Sequence, residues 1–142
     1  MSSEQNKAIV RRFYEEPWKG NLGVVDELTT RDYVGHDPAL AEPLRGPEGV
    51  KEFVSTYREG FPDVKITVEQ QLAEGDLVAT RWSARGTHEG EMMDREPTGK
   101  QVTVTGVTIS RLEGGKIVED FRNWDFYGMM RRLEAAPVLA RG

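Results

Sequence analysis

The stretch Glu113-Gly114-Gly115-Lys116-Ile117-Val118-Glu119-Asp120-Phe121-Arg122-Asn123-Trp124-Asp125 decides the fold of this chain. Its Glu-Gly-Gly opening is a hairpin turn, and Lys116 to Trp124 continues as a strand. Before the turn, Gln101 to Leu112 is rich in Val, Thr and Ile and reads as the partner strand. Within that partner the alternation of Val102 and Val104 shifts to Val107 and Ile109 across Gly106, which predicts a bulge or sharp bend and hence a curved sheet. After the hairpin, Phe126 to Leu133 is expected to form a last helical turn or two.

Further upstream, Leu77 to Arg85 is a second long strand behind the turn Glu74-Gly75-Asp76, and Val64, Ile66 and Val68 alternate with polar residues as a first one. The chain changes character near residue 62, with helices on the N-terminal side. Ser2 and Gln5 make a capping box ahead of a helical stripe of Ile9, Val10, Phe13 and Tyr14, which Pro17 ends. Asn21 can cap a short helix with Leu22, Val25 and Leu28 on one face. Gly46-Pro47 opens the third helix, where Val50, Phe53, Val54 and Tyr57 share a face, and Gly60 with Pro62 stops it. Helices first and an antiparallel meander afterwards define an α+β fold. The expected architecture is a cone-shaped barrel in which a strongly curved antiparallel sheet and three N-terminal helices enclose a pocket, the default place for a ligand.

Composition narrows the function. A chain of 142 residues holds one core, here assigned to residues 1–134, with 135–142 as a loosely held tail. A net charge of −5 argues against nucleic acid as a partner, because there is no overall positive field to gather phosphates. Zero cysteines exclude disulfides, thiol nucleophiles and Cys-ligated zinc or iron–sulfur clusters. There is no apolar leader and no run near the roughly 18 apolar residues a membrane span needs, so a soluble, cytoplasmic protein without a membrane partner is expected. His36 and His88 fit no metal-binding spacing, and no metal is expected.

Counting by twos along the last strand puts Ile117, Glu119, Phe121, Asn123 and Asp125 on one face, and Val118, Asp120, Arg122 and Trp124 on the other. Two readings of the first face stay open. It is either a pocket wall with Asp125 as a general base, or a solvated face with Asp125 capping the helix that begins at Phe126. The second face meets solvent or a second subunit, and Val118 and Trp124 on it motivate a homodimer.

The run from Glu113 to Leu133 resembles the C-terminal signature of the SnoaL-like polyketide cyclases, in the nuclear transport factor 2-like superfamily. Asp32-Tyr33-Val34-Gly35-His36, Gly46-Pro47-Glu48-Gly49 and Gly86-Thr87-His88-Glu89-Gly90 agree with it in order, so the resemblance covers about Val10 to Leu133. It implies a homodimer joined through the outer face of the sheet and a buried pocket for a small hydrophobic molecule. It also implies an intramolecular aldol ring closure that uses an aspartate base and neither a metal nor an organic cofactor. The family aspartate carries over to Asp125, and a polar residue of the pocket to His36. Two positions depart from the family pattern, Phe121 in place of Trp and Arg132 in place of Gln. Relatives on the same scaffold include cofactor-independent hydroxylases, so the rival readings are a polyketide hydroxylase and a binding module without chemistry.

On this reading an apolar pocket raises the base toward working pH, and donors stabilise the enolate it forms. Tyr14, Phe53, Tyr57, Trp82, Phe121 and Glu119 are the expected substrate contacts, with His36, Arg81 or Asn123 as donors.

Overall fold

A computed structural model describes residues 2–134; the predicted tail, 135–142, lies outside them. Helix α1 (Ser3–Glu15) starts at the expected capping box, since the Ser2 side chain accepts from the Gln5 amide and the Gln5 side chain from Ser2. Its buried stripe is Val10, Phe13 and Tyr14, and a 3-10 turn at Pro17–Lys19 closes it. Helix α2 (Val24–Leu28) starts at Gly23 without a side-chain cap. Asn21, expected to cap it, instead bonds back to Glu16 at 3.3 Å. There follow β1 (Thr29–His36), β2 (Leu44–Arg45), α3 (Gly46–Gly60), β3 (Lys65–Glu74), β4 (Leu77–Thr87), β5 (Gln101–Glu113), β6 (Lys116–Trp124) and α4 (Phe126–Leu133).

The α+β class holds, with two corrections to the sheet. It is mixed, because β1 runs parallel to β6. It is also open, with strand order β2-β1-β6-β5-β4-β3, so β2 and β3 are its edges and no barrel closes. Strand β1 escaped sequence reading because Thr29-Thr30-Arg31-Asp32 carries no apolar alternation; its place comes from pairing with β6. Helix α1 lies against β3 and β4, and α3 against β1 and β2. Between helices and sheet, Val10, Val25, Val78 and Ile117 are fully buried, each stabilising the fold by about 1.5–3 kcal/mol. Among the described residues no helix is long and apolar enough to cross a membrane.

The registers decide which side chains face the helices. Strand β5 passes through Gly106 without a break, so the predicted bulge is absent there. Val102, Val104, Gly106, Thr108, Ser110 and Leu112 all point inward, and Val107 and Ile109 are simply on the outer face. Position 106 is glycine for another reason: a Cβ there would lie 2.5 Å from Trp82 Cζ2 and 2.7 Å from Trp124 Cβ. The irregularity falls in β6. Leu112 pairs with Ile117 but Arg111 with Glu119, leaving Val118 as an extra residue. Ile117 is therefore inside, and beyond the bulge the inward set is Asp120, Arg122 and Trp124. Counting by twos fails at that one residue, and every side chain after it changes face.

Candidate active site

The inner face and helices α1 and α3 surround an apolar cavity. Its aromatic wall is Tyr14, Trp18, Phe53, Tyr57, Phe61, Trp82 and Trp124, completed by Val64, Ala84, Val102, Val104 and Met129. Counting its open mouth and the solvent in it, the unfilled space is about 620 Å³. The rings are packed against one another: Tyr14 stacks on Trp82 with centroids 6.1 Å apart, and Phe53 lies 4.9 Å from Tyr57. Such contacts fix the wall before any ligand arrives.

Few polar atoms reach this cavity, and most are committed. Thr108 Oγ1 accepts from the Tyr14 hydroxyl and from Trp82 Nε1, the latter at 3.1 Å, which holds both rings in place. Burial pushes the Tyr14 phenol well above its ordinary pKa, and Tyr57 likewise, where the nearby Asp37 charge adds to burial. At the end of β1, Asp37 Oδ2 accepts from Arg122 Nε at 3.1 Å and from Trp124 Nε1 at 3.0 Å, while Oδ1 accepts from the Ala39 amide at 2.9 Å. This ion pair is deeply buried, with the Asp37 side chain 1% and the Arg122 side chain 10% exposed. Deeper still, Asp120 accepts from the Tyr33 and Ser110 hydroxyls, both at 2.5 Å. Burial raises the Asp120 carboxyl, against the opposing pull of those two bonds and of Arg122.

Four of the residues expected to bind substrate come together here: Tyr14, Phe53, Tyr57 and Trp82. The others do not. Asp125 is exposed and caps α4, accepting from the Gly128 amide at 2.9 Å, with Arg132 3.6 Å away on its other side. Of the two readings of Asp125, the cap is the one whose contacts are present. His36 lies on the outer face because Tyr33, Gly35 and Asp37 take the inward positions of β1. There its ring stacks on Phe121 at 4.7 Å and its Nε2 meets Glu119 at 2.7 Å, so His36, Glu119 and Phe121 form an outer cluster away from the aromatic cavity, and His36, Phe121 and Asn123 line a separate hollow with Asp37, Pro38 and Arg122. Asn123 and Arg81 are exposed on that face as well, Arg81 bonding Gln70 at 3.2 Å. Trp124, assigned to the outside, is a cavity wall.

Sequence reasoning missed Trp18, Phe61, Asp37, Arg122 and Trp124. For Asp37 a signal existed: counting by twos from Tyr33 puts it beside Gly35 on one face. For Arg122 and Trp124 the bulge at Val118 hid it.

A model of the SnoaL-like polyketide cyclase family matches residues 8–133, nearly the whole described chain. The chain belongs to this family. Nogalonic acid methyl ester cyclase of Streptomyces nogalater is 30% identical over 118 residues, which cover 80% of this chain and 86% of that protein. Aklanonic acid methyl ester cyclase of Streptomyces peucetius is 28% identical over 128 residues, 88% of each chain. Among solved structures, IdmH from Streptomyces antibioticus superposes with a TM-score of 0.81 at 34% identity, covering 91% of this chain and 98% of that one. In this SnoaL-like chain the aspartate before the last helix, Asp125, caps that helix.

Proposed function

We propose that this protein is a cyclase that takes a small hydrophobic carbonyl compound into the aromatic cavity and closes a ring by intramolecular aldol addition. The observation that carries the reading is the cavity itself, walled by seven aromatic side chains and open at one end, in a chain whose relatives are named as ester cyclases. The reaction needs a proton taken from a carbon flanked by carbonyls, addition of that carbon to a second carbonyl, and return of a proton to the new alkoxide. Nothing is oxidised or reduced, and substrate and product are isomers. The carboxylates that stand behind the cavity wall are Asp37 and Asp120, so the acid–base chemistry belongs to the inner face and not to Asp125. The test is deuterium exchange at the acidic methylene of an aromatic β-keto ester, followed by NMR, with parent protein and with Ala84→Phe, which fills the cavity. Exchange catalysed by the parent and abolished in the filled variant is expected; equal exchange by both would remove the cavity from the chemistry.

The working unit in this reading is a homodimer joined through the outer sheet face. Leu72, Ala79, Ile109, Phe121 and His36 are paired across five strands into one row, in which Leu72, Ile109 and Phe121 are exposed. That row, with Val107 beside it, supports the interface in place of Val118 and Trp124. Sedimentation of Ile109→Asp as a monomer beside a dimeric parent is expected; a monomeric parent would refute it.

A further inference from the structure

The Arg122 guanidinium is a charged group with one edge left over. Its Nε is used by Asp37, and its guanidinium carbon sits 4.8 Å above the centre of the Phe53 ring. Its Nη2 is buried and has no hydrogen-bond partner in the protein, although Arg122 lines the aromatic cavity together with Tyr14, Phe53 and Trp124. A buried charged donor without an acceptor is costly. A ligand in the cavity can bring that acceptor, since Phe53 beside the guanidinium offers none and the nearby Tyr14 hydroxyl is bonded to Thr108.

We propose that Arg122 Nη2 is the ligand-reading group of the cavity, donating to the carbonyl oxygen of a flat, uncharged aromatic ketone or ester. The inference rests on the cavity being the substrate site. The preference for an uncharged ligand comes from the local charge balance. Asp37 already neutralises Arg122 at 3.1 Å, so a ligand carboxylate at Nη2 would add a second anion beside Asp37, with Arg85 at the exposed lining as the other cation of the cavity, whereas a carbonyl oxygen adds none. The same donor sits where negative charge grows when that carbonyl becomes an enolate, so it strengthens as the reaction proceeds. Asp37 is a positioning residue here: by holding Nε it fixes the guanidinium at the cavity wall.

Three naphthalenes substituted at the same ring carbon separate the possibilities: the acetyl, ethyl and carboxylate derivatives. Binding is read by quenching of Trp18, Trp82 and Trp124, all of which line the cavity. The acetyl compound is expected to bind about tenfold more tightly than the ethyl compound, the ratio a single charge-assisted hydrogen bond supplies. The carboxylate is expected to bind more weakly than the acetyl compound. In Arg122→Met/Asp37→Asn, which removes both charges together, the acetyl and ethyl compounds should bind alike. The parent's own acetyl-to-ethyl ratio needs no variant and decides the matter if the double substitution does not fold. Equal binding of acetyl and ethyl compounds by the parent would overturn the role of Arg122 while leaving the cavity as the binding site. Tightest binding of the carboxylate would overturn the uncharged class. Failure of all three to bind would overturn the cavity reading itself.

Discussion

Replacing Asp37 by alanine tests whether the buried ion pair holds the cavity together. The substitution removes acceptors from Arg122 Nε, Trp124 Nε1 and the Ala39 amide. The Ala39 amide is only half-buried and can turn to water, so its loss counts for little. The other two donors are enclosed. An arginine left as an uncompensated buried charge costs about 3–5 kcal/mol, and an orphaned indole N–H about 1–3 kcal/mol. The two penalties overlap, since both groups relax into the same space, so the expected loss is about 4 kcal/mol. With a urea slope of about 2 kcal/mol per molar, the unfolding midpoint should fall by about 2 M. Tryptophan fluorescence reads the transition, because Trp18, Trp82 and Trp124 all stand at the cavity. Asp37→Ala/Arg122→Met should recover much of the loss, since removing both charges leaves none unpaired. A midpoint shift of Asp37→Ala below about 0.3 M, or a double variant less stable than the single one, would refute the reasoning.

Other substitutions probe the remaining parts. Asp125→Ala should cost about 1 kcal/mol through the lost α4 cap and leave turnover unchanged; loss of turnover at full folding would return Asp125 to the chemistry. Gly106→Ala should destabilise by about 1–3 kcal/mol and blue- or red-shift tryptophan emission, because its methyl would meet Trp82 and Trp124; an unchanged spectrum and midpoint would contradict the packing. Burial raises the Asp120 carboxyl, so above the ordinary aspartate range the native state keeps a proton that the unfolded chain has lost. Stability from that proton is complete below about pH 4 and falls as pH rises through the raised folded value. Asp120→Asn should flatten this fall in urea midpoints measured across pH, and an unchanged slope would place the titration elsewhere.

What the sequence made legible was what short-range patterns encode. The capping box at Ser2 and Gln5, the stripe through Tyr57 and the Glu-Gly-Gly hairpin each depend on residues a few positions apart, and each appears as expected. Strand β1 has no such local pattern, since its polar first half is placed only by pairing with β6. Of the seven aromatic residues at the cavity, the four expected from sequence, Tyr14, Phe53, Tyr57 and Trp82, lie on elements whose phase was read correctly.

The residues assigned to chemistry lie outside the aromatic cavity, for two physical reasons. In β6 the extra residue at Val118 moves Glu119, Phe121 and Asn123 outward and brings Asp120, Arg122 and Trp124 in. In β1 the pairing with β6 puts His36 opposite Phe121, on the same outer face, and its neighbour Asp37 inside. The family pattern could not reveal either change. An aspartate before a helix satisfies that pattern equally well whether it caps the helix or faces a ligand, and the Gly128 amide has claimed Asp125. With Asp125 outside, the polar groups left at the cavity are those of the Asp37–Arg122–Trp124 cluster, the hydroxyls of Tyr14 and Tyr57, and Arg85, exposed on its lining. Among them Arg122 pairs a buried positive charge with an unused donor, so selectivity among aromatic ligands is governed by where a ligand carries its carbonyl oxygen relative to its flat ring.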